Sequence, residues 1–147
     1  MLASLPFSNI LVPTDGSEGA NRALDFALKI AKPQNARITV LYVVQKPTVA
    51  DPFDISMTAK VLESMEQYGK EVLDAAKKRA NGMGVKVETD MTSGYAVANT
   101  IVEYARDGSF DLIVMGTRGR SGVARVLLGS VAFGVVTYAP CNVVIVR

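Results

Sequence analysis

Four short apolar runs punctuate the chain: Ile10-Leu11-Val12, Ile38 to Val44, Leu112-Ile113-Val114-Met115 and Val143 to Val146. Each is too short for a buried helix and rich in β-branched residues, so each predicts a buried strand. A fifth stretch alternates instead: Val85, Val87 and Met91 are interleaved with Lys86, Glu88 and Asp90. That pattern predicts a strand with one wet face, whose charges protect an exposed sheet edge.

The intervening segments carry helical spacing. Apolar or small residues at 20, 23, 24, 27, 28 and 31 predict a helix that Pro33 stops. Asp15 with Glu18 three residues on reads as its capping box, with Asp15 as N-cap. Residues 45–56, with Pro47 and Pro52, read as a loop. Positions 61, 65, 68, 72, 76 and 80 then mark a long amphipathic helix over about 57–80, ended by Gly82 and Gly84. A third helix over about 96–106 turns Val97, Ile101, Tyr104 and Ala105 inward, and a fourth runs from Ser130 to Tyr138, before Pro140.

The order βαβαβαβαβ implies an α/β fold, a parallel sheet with helices on both faces. With 147 residues, no internal repeat and no linker, one domain over 1–147 is expected. Pattern alone does not give the strand order. Ligands of such sheets bind at the carboxyl ends of the strands. The loops richest in binding chemistry follow the first and fourth strands, and they converge only if those strands are neighbours.

Composition narrows the chemistry. Hydrophobic residues make up 49% and charged residues 20%, as in a folded, soluble chain; the net charge of +2 by itself argues neither for nor against nucleic acid, and no nucleic-acid partner is expected. The absence of histidine removes Ser-His-Asp and Cys-His machinery and the commonest zinc ligand. The one cysteine, Cys141, excludes an internal disulfide and reads as a small buried core residue. Residues 1–9 lack a basic n-region and an apolar core, and no apolar run approaches the roughly 18 residues of a membrane span. A cytoplasmic protein with no membrane partner is therefore expected.

The fourth strand leads directly into Gly116-Thr117-Arg118-Gly119-Arg120-Ser121-Gly122, followed by Gly129-Ser130-Val131. Glycine lets backbone N–H groups approach an anion without a Cβ in the way. Such an array before a helix N-terminus makes a phosphate cradle. Arg118, Arg120 and Arg125 offer guanidinium groups to phosphate, or stand in solvent. No Walker A loop and no Gly-x-Gly-x2-Gly fingerprint is present, and Gly82-Met83-Gly84 reads as a turn. At the end of the first strand, the Asp15 carboxylate can accept from a ribose hydroxyl, cap the helix, or do both.

The spacing Gly-x2-Gly-x9-Gly-Ser over residues 116–130, and the opening Ile-Leu-Val-Pro-Thr-Asp-Gly-Ser over residues 10–17, resemble the ATP-binding branch of the universal stress protein family. The likeness runs from Asn9 to Arg147. It implies a Rossmann-like, adenine nucleotide alpha hydrolase-like sheet in the order 3-2-1-4-5. Pro13, Thr14, Asp15 and Val43 would line adenine and ribose, although Val43 by itself reads as a core residue. Met115 and Gly116 would contact the ribose side. Gly119, Gly129, Ser130 and Val131 would hold the phosphates, with Arg118 beside them. The resemblance implies ATP as ligand, with Mg²⁺ or Mn²⁺ held mainly by its phosphates, and a homodimer formed through Val143–Val146.

A regulatory, stress-response role follows. A slow ATP hydrolase or adenylate-transferring enzyme and a dimeric scaffold that ignores nucleotide are the alternatives, and no residue stands out as catalytic. Two departures from the family pattern are Phe133-Gly134 in the fourth helix and Asn142 after Cys141. Gly134 is expected to weaken its helix by about 1 kcal/mol relative to alanine.

Overall fold

The computed structural model describes residues 7–47, 55–117 and 128–147, with residues 55–57 by backbone only. The elements alternate as read from the sequence: β1 (Asn9–Pro13), α1 (Glu18–Gln34), β2 (Arg37–Gln45), α2 (Ile55–Gly82), β3 (Glu88–Gly94), α3 (Val97–Asp107), β4 (Leu112–Gly116), α4 (Ser130–Tyr138) and β5 (Asn142–Val146). The strands form one parallel sheet in the order β3-β2-β1-β4-β5. β1 therefore lies between β2 and β4, and the carboxyl ends of β1 and β4 are neighbours.

Two apolar layers hold the helices to the sheet. On one face Ile10, Val12, Val40 and Val114 pack under Leu24 and Leu28 of α1 and Leu73 and Ala76 of α2. On the other, Leu11, Leu41 and Ile113 meet Ile101 and Ala105 of α3 and Ala132 and Val135 of α4. Alternate residues of each strand thus serve opposite faces, and strands buried on both sides read as continuous apolar runs.

Several boundaries differ from expectation. α1 passes through Pro33 and ends at Asn35, which takes the left-handed conformation at φ 54°. Asn35 and Ala36 donate to the carbonyls of Lys32 and Ala31, so a left-handed cap stops the helix rather than the proline. Its N-cap is Ser17, whose Oγ accepts from Ala20 N–H at 3.1 Å, and not Asp15. Gly16, at φ +82°, cannot be a helical residue, so the helix starts later. α2 begins at Ile55, inside the stretch read as loop, and β3 begins only at Glu88, paired with Thr39. Val85 instead donates to the Ala80 carbonyl and closes the end of α2. In α3, Val102 is buried, whereas Val97 and Tyr104 are half-buried.

The amino ends of the strands are laced together. The Asp111 carboxylate accepts from Ser8 N–H, Ser8 Oγ–H and Asn9 N–H, and the Asn9 amide donates to the Gly108 carbonyl. Cys141 nearby is half-buried rather than fully buried; burial, then the Asp111 charge, pushes its thiol above the usual range. Between α1 and α2, Arg79 grips Asp25 through paired bonds of 2.6 and 2.7 Å. On the far edge the Tyr104 hydroxyl donates to Asp90, and burial followed by that bond holds the phenol well above its ordinary pKa. No helix among the described residues is long and apolar enough to cross a membrane.

Candidate functional site

At the carboxyl ends of β1, β2 and β4 the structure opens a cleft of about 330 Å³. This is the switch point: the connection leaving β1 passes through α1 on one face of the sheet, and that leaving β4 through α4 on the other. Pro13, Thr14, Asp15, Val43, Met115, Gly116, Gly129, Ser130 and Val131 all line it. Residues separated by more than a hundred positions are thus brought together by the adjacency of β1 and β4. Arg118 and Gly119, with Arg120, Gly122 and Arg125, lie outside the described residues.

The turn after β1 is built by its own side chains. Thr14 N–H donates to the Leu41 carbonyl at 2.8 Å, which ties the turn to β2. Thr14 Oγ1 accepts from Gly16 N–H at 3.2 Å, and Asp15 Oδ1 accepts from Ser17 N–H at 2.9 Å. These are the local turns that Thr and Asp favour. A carboxylate has about four acceptor positions, so the turn bond and a ligand hydroxyl are compatible on Asp15.

Across the cleft, Thr117 N–H donates to the Val146 carbonyl at 3.2 Å. Gly129 N–H donates to the Thr117 carbonyl at 2.6 Å and pins the two ends of the glycine segment together. Gly129 is the N-cap of α4, in extended conformation at φ −68° and ψ 164°. Its N–H is therefore bonded within the protein, while the residue itself lines the cleft. The helix nevertheless begins at Ser130, and the N–H groups of Ser130, Val131 and Ala132 belong to its unsatisfied first turn. The positive end of the α4 dipole points into the same space.

Gly116 shapes the junction. A Cβ there would stand 3.0 Å from the Gly19 carbonyl oxygen, so a larger residue would need β4 or α1 to give way slightly. The remaining walls are apolar: Leu41 and Val43 from β2, and Val97 and Ile101 from α3. Gln45, Met65, Thr117 and Ala132 also line the cleft and were not singled out by sequence. Thr117 follows Gly116 directly, and Gln45 ends a strand, so position along the chain carried a signal for both. Met65 gave none, because its place depends on how α2 docks. Among the described residues no three acidic or thiol side chains come together to hold a metal ion.

An open parallel sheet with a half-apolar cleft and a helix N-terminus at its switch point is the Rossmann-like α/β architecture. The chain belongs to the universal stress protein family, whose profile matches residues 6–147. It is 42% identical over 142 residues to the universal stress protein MJ0531 of Methanocaldococcus jannaschii, covering 96% of this chain and 82% of that one. Among solved structures it is similar to universal stress protein UspA from Lactobacillus plantarum, with a TM-score of 0.88 and 31% identity over 96% of this chain and 98% of that one. It is also similar to a universal stress protein solved in complex with cAMP, with a TM-score of 0.72, 29% identity and coverage of 97% and 98%.

Proposed function

We propose that the cleft binds an adenine nucleotide, with ATP as the main ligand. We further propose that the chain works, as one domain and as a homodimer in the cytoplasm, as a nucleotide-dependent regulator in the stress response. The observation that carries this reading is the convergence of Asp15, the apolar wall of Leu41 and Val43, and the first turn of α4 on one cleft. These are the chemistries a nucleotide requires. The flat base takes the apolar wall, a ribose hydroxyl donates to the carboxylate, and the phosphates face helix N–H donors.

The residues present fit the ligand. The cleft volume of about 330 Å³ falls within the range of small-molecule sites. The relative in complex with cAMP supports an adenine nucleotide as ligand class. The bridging divalent ion would be held mainly by the phosphates and would offset their charge. On the protein side, Ser130, Val131 and Ala132 supply N–H donors, with Arg118 and Gly119 assigned to the same end by the family pattern.

The dimer reading rests on β5. It lies at the sheet edge, is apolar from Val143 to Val146, and carries no charge to blunt pairing. The helix leading into it exposes Phe133 and Val136.

Calorimetric titration of nucleotide-stripped protein with ATP and Mg²⁺, with GTP, AMP and cAMP alongside, tests the reading. Saturable heat near one site per chain, selective for adenine, is the expected result. Absence of heat and of competition at millimolar ATP would overturn it.

A further inference from the structure

Helix α2 reaches the cleft from outside the motifs. Gly69 lies directly on the sheet side chains: a Cβ there would stand 2.6 Å from Tyr42 Cδ1 and 2.7 Å from Met91 Cε. That close approach sets the position of its neighbour, Tyr68, whose ring meets Tyr42 edge-on at 6.0 Å between centroids. The Tyr68 hydroxyl donates to the main-chain carbonyl of Asp15 at 3.4 Å. It also occupies the space beside Gly16, 2.8 Å from where a Cβ would sit. Met65, about one turn earlier in α2, lines the cleft itself.

We infer that Tyr68 is a positioning residue for the nucleotide, fixing from α2 the turn that aims the Asp15 carboxylate at the ribose. This rests on the reading of the cleft as an adenine-nucleotide site. The turn's own bonds, Thr14 to Gly16 and Asp15 to Ser17, are made by side chains within it. The peptide joining Asp15 to Gly16 is the weak point, because glycine accepts either sign of φ at little cost. Flipping that peptide would swing the Asp15 carbonyl away and pull the Gly16 N–H off Thr14 Oγ1, loosening the turn that carries the carboxylate. The Tyr68 hydroxyl holds the carbonyl in its observed direction. By reciprocity, a ribose held by Asp15 strengthens the docking of α2.

The test titrates wild type and Tyr68→Phe with ATP and with 2′,3′-dideoxy-ATP, each with Mg²⁺. Phenylalanine keeps the ring on Tyr42 and removes only the hydroxyl. ATP binding should weaken roughly three- to tenfold, the scale of one lost hydrogen bond, while dideoxy-ATP changes less than about twofold. Equal weakening toward both nucleotides would reduce Tyr68 to a packing role, and unchanged ATP affinity would remove it altogether; either overturns the inference. If wild type binds no ATP, the reading of the cleft itself falls, and the inference with it. Hydrogen exchange on wild type gives a second readout: ATP should protect the amides around Tyr68, and dideoxy-ATP should not.

Discussion

Gly134 of α4 lies against Ala98 of α3 so closely that a Cβ on the glycine would stand 2.8 Å from the alanine Cβ. The sequence suggests a weakened helix at this position. The structure shows that the missing side chain is what lets α4 approach α3, and α4 carries the first-turn N–H groups that face the cleft. Alanine gains about 1 kcal/mol of helix propensity, but overpacking a helix contact costs about 1–3 kcal/mol. Gly134→Ala should therefore destabilise the protein by about 1 kcal/mol in urea unfolding. A stabilised variant would show that the two helices separate freely.

Gly129→Asp should divide binding from stability. The extended backbone of Gly129, at φ −68°, suits aspartate as an N-cap, which is better than glycine by a few tenths of a kcal/mol. The same carboxylate would stand where the nucleotide reading places phosphates. The unfolding midpoint without ligand should hold or rise slightly, while ATP affinity falls by at least about tenfold. With a micromolar site and millimolar ATP, wild type should gain roughly 4 kcal/mol from ligand, and a variant binding tenfold more weakly about 2.7 kcal/mol. Intact ATP binding by the variant would place the phosphates elsewhere.

The Asp25–Arg79 pair gives a stability signature in pH. The Arg79 hydrogen bond holds the Asp25 carboxyl below its ordinary value of 3.8. A depressed carboxyl pKa contributes stability that is present above the unfolded value and is lost as pH falls through the folded one. Asp25→Asn should cost about 0.5 kcal/mol at neutral pH, as expected of a partly exposed pair. The difference from wild type should shrink below pH 3.8. Denaturant curves at neutral and acid pH measure it directly; a pH-independent difference would mean the pair contributes through packing.

The open side of β5 carries the prediction about assembly. Sedimentation over a range of concentrations should show a dimer, and Ile145→Lys should shift it to monomer by placing a charge on the pairing strand. Circular dichroism on the variant separates loss of pairing from loss of fold. A wild-type monomer at all concentrations would leave the edge without a second copy.

How far the sequence could be read follows from where each feature's cause lies. The strands Ile10–Val12 and Leu112–Met115 were legible because both of their faces are buried and no other pattern fits so short an apolar run. The cap of α1 was not legible, since Asp15 and Ser17 are both good caps and the choice turns on Gly16 adopting positive φ. Pro33 misled because a proline near a helix end limits its length without fixing its last residue. The cleft-lining residues on the strand ends stand in motifs, but the bond of Gly129 N–H to Thr117 depends on how the two ends of a loop meet. Tyr68 and Met65 carry an ordinary helical period, and only the docking of α2 puts Met65 at the cleft and Tyr68 on the Asp15 turn.

The lacing of Ser8 and Asn9 to Asp111 lies at the opposite rim of the sheet from the cleft. A parallel sheet sends every strand's carboxyl end one way, so the laced rim and the cleft rim share no side chains. Substitutions at the two rims should then act additively, one changing how firmly the sheet is closed and the other what it recognises. Recognition can drift in such a molecule without renegotiating the fold.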